Sequence, residues 1–181
     1  MPAHLRHLFL AVVVALLVGC STSVTWHEGY TKAPYKLTSA RVIWVENPSM
    51  KMMIQKRAMG AQPTINDADQ LNAAYATRYM IEQFQKSVVE QVTAKLAEEG
   101  VATGNEITLE ITPVVSSVAI NEHHTLTTRT TIKEAASNRE IWSATIQSTG
   151  NFIREDKDII LSNFIDSLVL ELKKSGWLIR A

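Results

Sequence analysis

Cysteine is nearly absent from this chain, whose 181 residues include one, Cys20. A single thiol cannot form an internal disulfide, and it cannot supply the paired cysteines of structural zinc sites or dithiol redox centres. Of the five histidines, only His27, His123 and His124 follow Cys20. His123 and His124 are adjacent, but neighbouring residues of a strand point to opposite faces of a sheet and do not easily share one ion. We therefore expect no metal site and no cofactor.

Signatures of catalysis and of nucleic-acid binding are also missing. The sequence has no GxSxG or SxxK motif for a nucleophilic serine, and its nearest glycine-containing loop, residues 100–104, lacks the lysine of a phosphate cradle. Lys plus Arg equals Asp plus Glu at 18 each, so no basic excess favours nucleic acid. These absences favour a protein that is not an enzyme.

The longest apolar run, residues 8–18, is short. As a helix it reaches roughly 16 Å, about half of the hydrocarbon core that a spanning helix crosses with about 20 residues. Arg6 precedes the run and the small residue Gly19 follows it. This pattern is typical of a cleaved secretory signal.

The end of the run, Leu17-Val18-Gly19-Cys20, resembles the lipobox of bacterial lipoproteins. The resemblance implies cleavage before Cys20, a diacylglycerol on its sulfur and a fatty acyl chain such as palmitate on the new amino terminus. Several acyl chains hold a protein firmly on a bilayer, whereas one chain binds reversibly. Position 21 is Ser and not the Asp that retains members of this family at the inner membrane, which implies the outer membrane with the domain facing the periplasm. The alternative is an ordinary secretory signal with an incidental cysteine.

Three segments follow from this interpretation: a signal peptide at 1–19, a lipidated tether at 20–38 and a single periplasmic α+β domain at 39–181. Ser, Thr and Gly are frequent in 21–38, as in a flexible linker. Trp26, Tyr30 and Tyr35 are unusual there, and we expect them to pack onto the domain.

Hydrophobic periodicity in the domain predicts the element order β-α-β-β-β-α. A strand near 39–47 precedes a helix from about Gln70 to Glu99, with Asp67 or Asp69 as its cap; three strands and a second helix follow. The predicted inner stripe of the first helix is Leu71, Ala74, Ile81, Phe84, Val88, Val92 and Leu96, and that of the second is Leu161, Ile165 (or Phe164), Leu168 and Leu172. This order predicts an α+β two-layer sandwich, in which a roughly four-stranded, mostly antiparallel sheet has two helices packed on one face. The other face would carry these polar residues: Thr108, Glu110, Thr112, Ser143, Thr145 and Gln147.

Two regions are candidate interaction elements. Residues 49–69 lack periodicity and contain Met50, Met52, Met53 and Met59; we expect a mobile loop, a lid or a docking segment. Deleting residues 50–60 is expected to leave thermal stability nearly unchanged and to weaken partner binding. Copper binding is a weaker alternative, because lysines lie among the methionines. The second region is the threonine-rich strand around Thr127 and Arg129.

Two functions remain open. In the first, the chain is a non-enzymatic lipoprotein whose periplasmic domain binds a protein or another envelope component. The lipobox and element order loosely resemble small periplasmic lipoproteins such as the lipopolysaccharide-assembly lipoprotein. The alternative is an accessory lipoprotein that binds a lipid or a small apolar ligand between sheet and helices, in a cavity lined by Trp44, Phe84, Trp142 and Phe164.

Overall fold

The computed structural model describes residues 24–26, 33, 36–55, 65–119, 123–151 and 157–179. These residues form one six-stranded sheet and two helices. In chain order the elements are β1 (Val24–Trp26), β2 (Ser39–Trp44), β3 (Lys51–Gln55), α1 (Asp67–Glu98), β4 (Ala102–Ala119), β5 (His123–Glu134), β6 (Arg139–Asn151) and α2 (Lys157–Lys174). The predicted α+β class is confirmed.

The sheet is built around the long strand β4. Its strand order is β1-β6-β5-β4-β2, and β3 also pairs with β4. The pairs β4–β5, β5–β6 and β6–β1 are antiparallel, whereas β2 and β3 run parallel to β4. Because β5 occupies one edge of β4, β2 and β3 must share the other edge. The sheet therefore has two strands, β1 and β3, that the sequence did not predict.

A proline explains why β2 and β3 are separate strands. Pro113 of β4 has no backbone N–H, and the register of β4 against β5 shifts between Pro113 and Val115. On the other edge, the Asn47 side chain donates to the Pro113 carbonyl at 2.8 Å. Between β2 and β3, the Asn47 side chain thus takes the place of a backbone hydrogen bond to β4.

Strand β3 corrects the prediction for residues 49–69. Lys51–Gln55 pairs with Val115–Ala119, and Ile54 is half-buried. Removing this segment would therefore expose the edge of β4, and we no longer expect deletion of 50–60 to leave stability unchanged. Residues 56–64 lie outside the described part of the chain.

Both helices pack on one face of the sheet. From α1, Phe84 contacts Trp44 of β2 at 5.8 Å between ring centroids, and it contacts Phe164 of α2 at 5.4 Å, edge to face. The indole Nε1 of Trp142 in β6 donates to Ser175 Oγ at 3.0 Å. The four aromatic residues of the cavity that the alternative function requires are thus packed in or against the core. Phe84, Trp142 and Phe164 are each at most 4 % exposed.

Helix α1 buries the predicted stripe in its later part, at Phe84, Val88, Val92 and Leu96, but a different face in its first part. Leu71 is 57 % exposed, and Ala74 is exposed as well. The buried positions recur every three or four residues: Ala73, Thr77, Met80, Phe84, Val88, Val92 and Leu96. The sheet under the first part of α1 is polar, and Thr77 Oγ1 lies 3.2 Å from Ser116 Oγ. The cap is Asn66, whose side chain accepts from the Asp69 backbone N–H at 2.8 Å, instead of Asp67 or Asp69.

Helix α2 has the predicted inner stripe. Leu161, Phe164, Ile165, Leu168 and Leu172 are all buried. Within the described residues, neither this helix nor α1 has a stretch long and apolar enough to cross a bilayer.

Part of the predicted tether is built into the fold. Strand β1 pairs with Thr145–Gln147 of β6. Farther along, the Ala33 N–H donates to the Ser175 carbonyl at 3.0 Å, and the Leu37 N–H donates to the Trp177 carbonyl at 2.9 Å. Tyr30 and Tyr35 lie outside the described residues. The packed structure thus begins upstream of residue 39.

Phe164 is the side chain at the junction of the two helices, and it is fully buried. We expect Phe164→Ala to lower the free energy of unfolding by about 3–5 kcal/mol, because it removes a large apolar side chain and leaves a cavity. Leu170→Ala on the same helix, at a side chain 52 % exposed, is the matched control and should change it by no more than about 0.5 kcal/mol. Urea unfolding measures both; equal effects would show that Phe164 is not a core residue.

Candidate docking surface

The face of the sheet opposite the helices is polar over three neighbouring strands, and we call it the outer face. Strand pairing places its residues in rows across β4, β5 and β6. The members are Thr108, Glu110, Thr112, Val115, Ser117, Thr125, Thr127, Arg129, Thr131, Lys133, Glu140, Ser143, Thr145, Gln147 and Thr149. Both described helices lie on the other side. The residues predicted for this face are all on it.

Charges on the outer face are paired with each other. Lys133 Nζ lies 2.6 Å from Glu110 Oε2, and both side chains are mostly buried, at 24 % and 17 % exposure. Arg129 Nη2 lies 3.0 Å from Glu140 Oε1 in a more exposed pair. Cross-strand pairs of this kind fix side-chain positions on a sheet. The face is therefore largely polar and close to neutral.

Threonine gives this face its shape. Thr131 and Ser143 are opposite each other in the pairing of β5 and β6, and both are 6 % exposed. Thr125 Oγ1 and Thr149 Oγ1 lie 3.1 Å apart on the same two strands. Thr125, Thr131 and Ser143 are therefore buried within the face. Thr127, Thr145 and Gln147 are half-buried and offer hydroxyl, methyl and amide groups to a partner.

The structure brings some of the predicted contact residues together and separates others. Thr127 and Arg129 lie on the outer face, and Met53 reaches its edge because it pairs with Ser117. Met52 pairs with Ser116, on the helix side, and Met50 precedes β3. Met52 and Met53 are 41 % and 51 % exposed. The methionines therefore do not form one surface with the threonine strand.

Two of the predicted site residues, Cys20 and Met59, lie outside the described residues. Of the two adjacent histidines, His124 is buried, at 5 % exposure. The described part of the chain contains no group of three His, Cys, Asp or Glu side chains placed to hold a metal ion.

An exposed apolar row on α1 was missed. Leu71, Tyr75 and Tyr79 are 57–66 % exposed and recur every four residues, on the side of the helix away from Ala73 and Thr77. This row can be recognised in the sequence, because its members have helical spacing. The buried row that begins at Ala73 has the same spacing. The predicted inner stripe contains Leu71 but neither Tyr75 nor Tyr79, so the prediction is wrong for Leu71 and did not single out the two tyrosines.

An open groove of about 730 Å³ lies at the end of the sheet where β4 begins. It is not between sheet and helices, where the alternative function would need a cavity. Its lining is largely polar: Lys36, Leu37, Thr38, Ser39, Asn105, Glu106, Ile107, Glu134, Ala135 and Ala136. Glu134 accepts from Arg139 Nη2 at 2.7 Å and from Ser137 Oγ at 2.9 Å. These two donors lower the pKa of the Glu134 carboxyl.

Comparison with known proteins gives weak structural likenesses. No protein-family model matches the chain, and no curated protein matches it significantly. Among solved structures, a PelC dodecamer from Paraburkholderia phytofirmans shares 13 % identity, with 82 % of this chain and 95 % of that chain covered and a TM-score of 0.41. A neuraminyllactose-binding hemagglutinin homologue from Helicobacter pylori shares 14 %, with 82 % and 91 % covered and a TM-score of 0.34.

Lipoprotein GNA1162 from Neisseria meningitidis shares 13 % identity, with 76 % of this chain and 99 % of that chain covered and a TM-score of 0.31. At these identities and TM-scores the likenesses support no functional assignment.

The lowered pKa of Glu134 predicts a small pH dependence of stability. Because the carboxyl has a lower pKa in the folded chain than in the unfolded one, its ion pair stabilises the fold above the unfolded pKa, and this contribution is lost as the pH falls through the folded pKa. Both side chains face solvent, so the effect is modest. In an NMR titration, Arg139→Gln should return the Glu134 pKa toward its ordinary value; an unchanged pKa would show that Arg139 is not its cause.

Proposed function

We propose that this chain is a non-enzymatic lipoprotein, anchored through Cys20 in the bacterial outer membrane, whose periplasmic domain binds a protein of the envelope through the outer face. The observation that carries the proposal is the polar, charge-paired sheet face, with both described helices packed on its other side. The lipobox-like sequence before Cys20 supports the anchor.

The size of the outer face suits a protein partner. Strand β5 has 12 residues, so at about 3.4 Å per residue it is roughly 40 Å long, and three strands about 4.8 Å apart are roughly 14 Å wide. The product is on the order of 600 Å², comparable with the ~800 Å² that each partner contributes to a standard protein interface.

The electrostatics of the face also favour a protein over a highly charged ligand. Glu110 is neutralised by Lys133, and Arg129 by Glu140, so no surplus of either sign is left among these four groups. A partner that supplies hydrogen-bonding groups and small apolar contacts fits such a face, because interfaces between proteins are about as apolar as the rest of the surface.

Tethering makes a moderate affinity sufficient. A domain held on the same membrane as its partner meets it at an effective concentration that reaches roughly the millimolar range. We therefore expect the lipid anchor and the outer face to act together, the first by confining the domain and the second by selecting the partner.

Site-specific photocrosslinking in intact cells tests this proposal. A photoreactive amino acid at Thr127 should give an adduct of one defined mass, whereas the same amino acid at Gln91, an exposed polar position on α1, should not. In the Cys20→Ala background the Thr127 adduct should become weaker, because the released domain loses its high effective concentration.

Three results would count against the proposal. Equal adducts from Thr127 and Gln91 would remove the outer face as the binding surface. No adduct from Thr127 would mean that the outer face is solvated and binds no partner. An adduct yield unaffected by Cys20→Ala would show that binding does not depend on the lipid anchor.

A further inference from the structure

The way the chain enters the sheet fixes which end of the domain lies near Cys20. Strand β1 is antiparallel to β6, with Val24 opposite Gln147 and Trp26 opposite Thr145. Going back along β1 toward Cys20 therefore leads toward Asn151, the last residue of β6. The end of β4 and the start of β5 lie at this same end, because Ala119 pairs with His123 and His123 pairs with Asn151. We call it the Ala119 end.

The distance from Cys20 to the sheet is limited by covalent geometry. Cys20 precedes Val24 by four residues, and an extended chain spans at most about 3.6 Å per residue. The α-carbon of Cys20 thus lies within about 14 Å of the start of β1. A lipid on Cys20 would hold the Ala119 end of the domain next to the bilayer.

Exposed apolar side chains concentrate at this end. Met52 and Met53 lie on β3, whose last residue pairs with Ala119. Helix α1 begins here as well, because Thr77 contacts Ser116 while the helix ends beside Val101, at the opposite end of β4. The exposed fractions are Met52 41 %, Met53 51 %, Ile65 41 %, Leu71 57 % and, in the first turn of α2, Ile159 45 %.

Helix α1 extends this apolar surface beyond the sheet. The ten helical residues before Thr77, 67–76, extend roughly 15 Å past it at about 1.5 Å each. Strand β4 continues from Ser116 to Ala119, roughly 10 Å at about 3.4 Å per residue, so the first turn of α1 reaches beyond the end of β4. Tyr75 and Tyr79 continue the row of Leu71 and are 66 % and 62 % exposed. Tyrosine and aliphatic side chains together are typical of surfaces that sit at the headgroup level of a bilayer.

We propose that the Ala119 end contacts the bilayer that holds Cys20, with Leu71, Ile65 and Met53 inserted at the level of the headgroups. This inference rests on the proposed lipid anchor. The contact is apolar in origin, because the described charged groups near Leu71 give no basic excess: Arg78 and Glu82 form an ion pair of 2.9 Å, and the first turn of α1 carries the acidic Asp67 and Asp69.

Such a contact also orients the domain. The strands run between the Ala119 end and the groove at the start of β4, so their axes point away from the membrane. The plane of the outer face is then perpendicular to the membrane, so a partner on the same membrane can contact it from the side. The groove lies at the far end, roughly 40 Å away along the 12 residues of β5.

Depth-dependent fluorescence quenching tests the contact. Because Cys20 carries the lipid in the mature chain, a new cysteine gives one reactive thiol. Leu71→Cys and Leu170→Cys make a matched pair, since both leucines are exposed on helices, at 57 % and 52 %, and Leu170 lies near the end of α2 away from the Ala119 end. Each lipidated full-length variant is labelled with an environment-sensitive fluorophore and reconstituted into phosphatidylethanolamine–phosphatidylglycerol vesicles whose acyl chains are brominated.

We expect the label at position 71 to shift its emission to the blue and to lose much of its intensity to the brominated chains, while the label at position 170 keeps both. Ile65→Cys should repeat the result for position 71, which guards against a local defect of one variant. Circular dichroism confirms that the variants are folded.

The other outcomes overturn the proposal in distinguishable ways. If the protein floats with the vesicles but both labels remain unquenched, the anchor stands and the membrane contact is wrong. If the label at position 71 is shielded from aqueous iodide but not quenched by brominated lipid, a second copy or another protein covers this end. If the protein does not float with the vesicles, the lipid anchor fails and the contact fails with it.

Discussion

The short antiparallel ladder between β1 and β6 is the constraint on which the proposed arrangement depends. It joins Val24–Trp26 to Thr145–Gln147, so the segment after Cys20 becomes an edge strand of the sheet. Ala33 and Leu37 then bond to the chain at and after the end of α2. A lipid on Cys20 would consequently act on a nearly rigid body whose orientation relative to the membrane is restricted, and not on a domain at the end of a long flexible linker.

Alternation of apolar and polar residues along the strands gives the sheet two faces: one packs against the helices, and the other is the polar outer face. The helix side of the sheet carries the fully buried residues Leu109, Ile111 and Ile132. The outer face carries Glu110, which lies between Leu109 and Ile111 in the sequence, and Thr131, which pairs with Glu110. A one-residue slip would exchange these sets, so core packing fixes the position of every outer-face residue. The stability of the fold and the geometry of the proposed docking surface therefore have the same origin.

Prediction from the sequence succeeded where the signal was local and periodic. The stripe of α2 and the alternation of β4 and β6 are visible in the residues themselves, and they were enough for the α+β class and for the outer face. Strands β1 and β3 were missed because they have three and five residues and are paired with partners far along the chain. On α1, the rows beginning at Leu71 and at Ala73 have equal periodicity, and only tertiary packing against the polar sheet around Ser116 selects the second.

The anchor, the orientation and the advantage of tethering all depend on the chemistry of residue 20. Mass spectrometry of the amino-terminal peptide from protein purified out of its native membrane tests it most directly. The account predicts a mature chain that begins at Cys20, with a diacylglycerol thioether on its sulfur and an acyl group on its nitrogen. A chain that still begins at Met1, or a Cys20 without fatty acyl groups, would contradict it.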